Sequence, residues 1–200
     1  MKLFLLSFAF AVLSVAAFGE VIDTGKSVHH TAPDTIKLKI EGTHAYYQKT
    51  VKADSIPEGL MYVRVVQFMA SKNFQQNYGY MEEGKLIFTT TQDLNINAAY
   101  IGDDNDVVNP YTIQFAITLD LKNGKYRYTI SNMVFFFPTA NGNKRETMFD
   151  IYLKANNSDS RRMQRAYKSI IDSFERYLGT LTEELQDGIE QNSTMYNPKF

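Results

Sequence analysis

Alternation of apolar and polar positions is sharpest between residues 111 and 131. Tyr111, Ile113, Phe115, Ile117, Leu119 and Leu121 alternate with Thr112, Gln114, Ala116, Thr118 and Asp120, the period-two pattern of a strand with one buried face. Asn123-Gly124 follows, a pair suited to the positive φ angles of a two-residue hairpin turn. The return strand alternates in the same way, with Tyr126, Tyr128 and Ile130 against Arg127, Thr129 and Ser131. A two-residue turn sets Lys122 opposite Lys125, Leu121 opposite Tyr126, Leu119 opposite Tyr128 and Asp120 opposite Arg127. Both strands then place their apolar residues on one side in a single register. Beyond Ser131 the phase changes through Met133, Val134 and Phe135-Phe136-Phe137. A bulge near Asn132, or a strand buried on both faces, accounts for the change.

The remaining segments read as elements around this hairpin. Ile36, Leu38 and Ile40 alternate with lysines, as in a short edge strand whose charges face water. Residues 46–51 read as the first core strand. Ser55-Ile56-Pro57-Glu58 reads as a helix start with a capping box between Ser55 and Glu58, and Pro57 is tolerated in a first turn. That helix is expected to run to about Asn73, with Met61, Val65, Phe68, Met69 and Lys72 on its buried stripe. Val63 and Val66 are expected to widen the stripe. Residues 78–81 and 85–91 read as strands joined through Glu82-Glu83-Gly84, and residues 92–109 as a polar linker. A short strand is expected over residues 148–153. A long helix is expected over residues 158–186, capped by Ser158 or Asp159, with a stripe from Met163 through Phe174 to Leu185. The order strand, helix, several antiparallel strands, helix predicts an α+β fold. Its one-sided alternation requires two amphipathic helices over one face of the sheet.

Composition adds compartment and excludes several chemistries. Met1-Lys2, an apolar run over residues 3–18 and the small residues Ala17 and Gly19 form the pattern of a secretory signal peptide. Cleavage is expected after Gly19, with Ala17 as the alternative. Removing 19 residues from the 200-residue chain leaves 181, enough for one well-cored domain. The expected organisation is a leader at 1–19, a lead segment with a candidate edge strand at 20–43, a single α+β domain at 44–187 and a polar tail at 188–200. No later stretch approaches about twenty apolar residues, so no membrane-spanning anchor is expected. The net charge of −1 becomes −2 with loss of Lys2, a balance that offers no field for a nucleic-acid polyanion. The chain has no cysteine, which excludes disulfides, thiolate catalysis and a cysteine-linked lipid. It favours a bacterial periplasm or exterior over a eukaryotic lumen.

The hairpin also carries a resemblance. Lys122-Asn123-Gly124-Lys125-Tyr126-Arg127-Tyr128-Thr129-Ile130, with Met61-Tyr62 and the aromatic Phe68 on the first helix, resembles the domain of unknown function with a TATA-box-binding-protein-like fold found in Bacteroidetes envelope proteins. The similarity spans roughly residues 44–187. Phe68 stands where the family usually has tryptophan, and the 92–109 segment is a long insertion. The resemblance implies a curved antiparallel sheet of about four to six strands under two helices. It implies no activity, ligand or catalytic residue, and a fold likeness carries no DNA-binding role with it.

Candidate chemistry is sparse. His29 and His30 lie in the polar lead without a ligand-spaced partner, and His44 adjoins the first strand. Asp103, Asp104 and Asp106 are the metal candidates; hard oxygen ligands suit calcium, but of the features of a calcium loop the segment has only Gly102, before the cluster, and lacks the rest. It reads first as a solvated loop. Glu82-Glu83 and Glu183-Glu184 show no separation specific to acid–base work. Tyr126 and Tyr128 read as core beneath a helix. Phe135, Phe136 and Phe137 are the candidate binding or interface residues, because three consecutive aromatics cannot all face one core in a strand. No cofactor is implied. The leading expectation is an exported, non-catalytic binding or envelope-associated module whose partner is a protein, glycan or small molecule. The alternatives are a small hydrolase built from His44 and the acidic loop, and a homo-oligomeric structural component that buries the three phenylalanines.

Overall fold

The computed structural model describes residues 36–54, 56–95, 110–139 and 142–190. The 111–131 pattern becomes a long hairpin of β5 (Pro110–Lys122) and β6 (Lys125–Thr139). Its register is the expected one, pairing Lys122 with Lys125, Leu121 with Tyr126, Asp120 with Arg127 and Leu119 with Tyr128. Gly124 takes the turn with φ of 74°. Four further strands complete the main order: β1 (Lys39–Glu41), β2 (His44–Lys52), β3 (Gln75–Tyr80) and β4 (Lys85–Asn95). The antiparallel sheet runs β1-β2-β6-β5-β4-β3, with β7 (Gly142–Thr147) also paired to β6. Of the expected 92–109 linker, residues 92–95 extend β4 and 96–109 lie outside the described residues.

Every apolar position of the hairpin pattern is buried: Tyr111, Ile113, Phe115, Ile117, Leu119 and Leu121 on β5, Tyr126, Tyr128 and Ile130 on β6. They lie beneath α3 (Arg161–Glu190), whose stripe runs from Ala166 and Tyr167 through Phe174 to Leu185 and Ile189. Phe174 is the hub. Its ring meets Tyr47 on β2 at 6.0 Å, Phe115 on β5 at 5.6 Å and Phe135 on β6 at 5.7 Å, each edge-on. That is the favoured geometry for rings with negative faces and positive edges.

The first helix, α1 (Glu58–Ser71), lies beside α3 and buries Met61, Arg64, Val65 and Met69. Two expectations about it are corrected. Val63 is exposed rather than part of the buried face, because two residues along a helix turn it about 200° away from Met61. The proposed cap is also replaced: Pro57 occupies the N-cap without a side-chain cap bond, and Ser55 lies outside the described residues. Asn123, the hairpin turn residue, instead accepts a hydrogen bond from the Glu58 amide at 3.2 Å. Buried Arg64 donates from Nη1 to the Ile189 carbonyl and so satisfies an orphan acceptor at the end of α3. Where these helices approach, a Cβ on Gly188 would sit 3.2 Å from the Phe68 ring.

The expected strand at 148–153 is a helix, α2 (Met148–Asn157), preceded by β7. Thr147 decides the switch. Its hydroxyl accepts from the Asp150 amide at 3.2 Å, while its own amide donates to Asp150 at 3.0 Å, a reciprocal capping box. The cap of α3 shifts as well: Ser160 Oγ, rather than Ser158 or Asp159, accepts from the Met163 amide at 3.4 Å. Among the described residues the fold therefore comprises a seven-stranded sheet and three helices, with β7 and α2 supplied by residues 142–157.

Candidate functional site

A cleft opens where β2 and β7 share one edge of β6. β2 pairs with β6 from Lys52↔Lys125 to Tyr47↔Ile130, and β7 pairs with it from Val134↔Thr147 to Thr139↔Gly142. Ser131, Asn132 and Met133 fall between the two ladders. Asn132 adopts φ of 54°, and the β5–β6 register shifts between Gln114 and Ala116. Asparagine tolerates this left-handed conformation better than a branched residue would. The resulting bulge is the one expected near Asn132. A bulge of this kind bends its strand, and the β2–β6 ladder stops at Tyr47↔Ile130, just before it; His44 to Tyr46 pair with β1, as in Glu41↔His44.

The cavity volume is about 710 Å³. One wall is the β1–β2 hairpin, with Glu41, His44 and Tyr46; the floor includes Gln48, Thr129, Ser131 and Asn132; the other wall is Arg145, Thr147 and Phe149. Part of its polar lining is internally engaged. The Tyr46 hydroxyl donates to Glu41, which raises the tyrosine's pKa by holding its proton. Gln48 Nε2 donates to Thr129 at 3.1 Å. Thr147 is committed to the α2 cap. His44, Ser131, Asn132 and Arg145 have no side-chain hydrogen bond or ion pair among the described residues, and they face a concave surface that mixes polar and apolar groups. Pre-formed clefts of this size with a few convergent polar side chains are the usual form of a small-molecule site.

The sequence candidates are distributed unevenly around this cleft. His44 lines it, exposed and without a partner among the described residues, while the acidic loop of the hydrolase alternative lies outside them. His29, His30, Asp103, Asp104 and Asp106 lie outside the described residues. Among the described residues no group of three or more histidine or acidic side chains is arranged to hold a metal. Glu83 accepts from the Tyr78 hydroxyl at 2.8 Å, and Glu184 pairs with Lys72 at 2.7 Å. Phe135 and Phe137 are buried; Phe137 meets Tyr111 edge-on at 5.0 Å and stacks with Phe135 at 6.3 Å. Phe136 points to the opposite face, half-buried, directly across from Arg145 of the cleft wall. Tyr126 and Tyr128 are core residues, and burial pushes the Tyr126 hydroxyl pKa well up.

Sequence reasoning missed Arg145, Ser131 and Asn132 as site residues. The only local signal was the phase change at Asn132, which marks a bulge but does not place β7 beside it. It also missed Glu146, next to Arg145 but on the opposite face. Its buried carboxylate pairs with Lys144 and Lys154 and ties β7 to α2.

Residues 47–136 match the sequence profile of the family described as "Domain of unknown function (DUF4468) with TBP-like fold". Over these residues the chain resembles a DUF4468 domain. Among solved structures, the domain is similar to a TBP-like protein from Parabacteroides distasonis ATCC 8503, with a TM-score of 0.62 and 12% identity over 77% of this chain and 97% of that one. It is also similar to a DUF4468 family protein from Bacteroides ovatus ATCC 8483, with a TM-score of 0.56 and 9% identity over 74% and 90% of the two chains. At these identities the likeness concerns the fold. No curated protein sequence matches the chain significantly. The floor of the cleft falls inside the DUF4468 match, whereas Glu41, His44 and Tyr46 on one wall and Arg145, Thr147 and Phe149 on the other fall outside it.

Proposed function

We propose that this protein is an exported, non-catalytic binding module whose ligand occupies the cleft between β2 and β7. The observation that carries the reading is the cleft itself: a cavity of about 710 Å³ with five polar side chains, Thr43, His44, Ser131, Asn132 and Arg145, left without partners among the described residues. The export component rests on the leader-like pattern of residues 1–19. Among the described residues, no helix is long and apolar enough to cross a membrane. A nucleic-acid role is disfavoured on the open sheet face, where Arg127 is held by Asp120 at 2.8 Å rather than left for phosphate.

Differential scanning fluorimetry with a panel of neutral and acidic oligosaccharides, amino acids and dipeptides tests this reading. Some panel member is expected to raise the melting temperature of the parent protein and to leave Ser131→Trp, which fills the cleft floor, unmoved. Equal stabilisation of both proteins would place binding elsewhere.

A further inference from the structure

We infer that the cleft recognises a carboxylate-bearing sugar, with Arg145 holding the carboxylate and the Ser131–Asn132 bulge meeting the hydroxyls. The inference rests on the reading of the cleft as a ligand site and adds the ligand's chemistry.

The charged groups of the lining set the class. Glu41, His44 and Arg145 are its only titratable histidine, acidic or basic side chains. Glu41 already accepts the Tyr46 hydroxyl. Arg145 is exposed and has no carboxylate partner among the described residues, although Glu146 follows it directly in sequence. The alternation of β7 explains this: Glu146 points into the core toward Lys144 and Lys154, and Arg145 points the other way. A planar guanidinium matches a carboxylate through two parallel hydrogen bonds. Phe136 directly across the ladder provides an apolar neighbour for the arginine stem.

The rest of the lining favours a polyhydroxylated body. Ser131 and Asn132 provide a hydroxyl and an amide, each able to donate and accept. Phe149 and Val134 add apolar surface suited to the C–H face of a sugar ring. Two other ligand classes fit less well. A phosphate dianion would meet one permanent cation, with the carboxylate of Glu41 in the same lining. A peptide added as a strand needs a run of unpaired extended backbone, whereas residues 131–133 provide only three positions and Asn132 is left-handed.

Isothermal titration of the full mature protein with trimers of galacturonate, glucuronate and mannuronate tests the inference, with the methyl ester of each trimer as its uncharged counterpart. At least one acid trimer is expected to bind, and its methyl ester to bind at least about 10-fold more weakly. Arg145→Gln should lose about 10- to 100-fold in affinity for the acid and little for the ester, as expected for one charge-assisted pair. Ser131→Trp should abolish binding of both. Circular dichroism and melting temperature verify that each variant is folded. If acid and ester bind equally, Arg145→Gln is neutral and Ser131→Trp still abolishes binding, the carboxylate assignment is overturned while the cleft reading stands. Binding that survives Ser131→Trp overturns the cleft reading. No binding by any trimer overturns the sugar-acid class.

Discussion

Gly84→Ala is expected to destabilise the protein well beyond the cost of its backbone angle. Gly84 closes the β3–β4 turn with φ of 59°. An added Cβ would lie 2.4 Å from the Leu121 carbonyl oxygen and 2.6 Å from Glu58 Oε1. The glutamate can swing aside, but the carbonyl belongs to the central hairpin and cannot move without disturbing β5. The Leu121 amide also donates to the Gly84 carbonyl at 2.6 Å. A left-handed alanine costs roughly 1–2 kcal/mol, a weakened backbone hydrogen bond roughly 0.5–1.5 kcal/mol, and the stiffer unfolded chain returns about 0.4–1 kcal/mol. The net loss is about 2 kcal/mol, or about 1 M in urea midpoint for an m-value of about 2 kcal/mol/M. Gly42→Ala is the control. Its φ of 61° is nearly the same, but nothing lies within 4 Å of the added carbon. Only the angle is penalised there, and the expected loss is about 0.5–1 kcal/mol. Equal losses in the two variants would refute the steric argument and leave backbone angle as the whole effect.

Three further outcomes follow from buried or capping polar groups. Arg64→Met should cost about 2 kcal/mol, lower the melting temperature by about 4–8 °C and accelerate amide exchange in the last turn of α3, because the Ile189 carbonyl loses its charged donor. An unchanged melting curve would contradict it. Asp150 is held below the ordinary carboxylate range chiefly by the Thr147 hydroxyl and then by the Thr147 amide. Its stabilisation is therefore present above that range and disappears as pH falls through the folded-state value. Asp150→Ala should lose about 1 kcal/mol at pH 7 and much less at pH 2–3 by urea titration. Glu175 behaves oppositely: burial raises its pKa, and the Leu38 amide only partly offsets this. Its ionised form is penalised as pH rises through and above the ordinary range. Glu175→Gln should raise the urea midpoint at pH 8 and leave it unchanged at pH 3; a loss at pH 8 would reverse the assignment.

The hairpin was legible because pattern, turn and cross-strand partners agree within a span of some twenty residues. Phe174 was legible as a member of a helical stripe, though not as the residue joining three strands. The 148–153 segment was misread for a definable reason. Met148, Ile151 and their neighbours are too few to separate a strand period from a helical one, and the deciding signal lay one residue earlier, at Thr147 with Asp150. Arg64 carries no local signal of its role, because a charge in an apolar stripe looks solvated and its acceptor lies 125 residues away. The cleft was illegible for the same reason on a larger scale. Its floor comes from a bulge that can be suspected locally, but its walls exist only because β2 and β7 divide one edge of β6.

That division of the β6 edge is also where the functional account is most exposed to test. A ¹H–¹⁵N NMR titration of the mature protein with a library of small polar and acidic fragments addresses it directly. The predicted result is a cluster of shifted amides at His44, Ser131, Asn132, Met133, Arg145 and Phe149. Shifts concentrated instead around Thr118, Asp120 and Arg127 on the open face, or scattered without a focus, would contradict the cleft as the binding site.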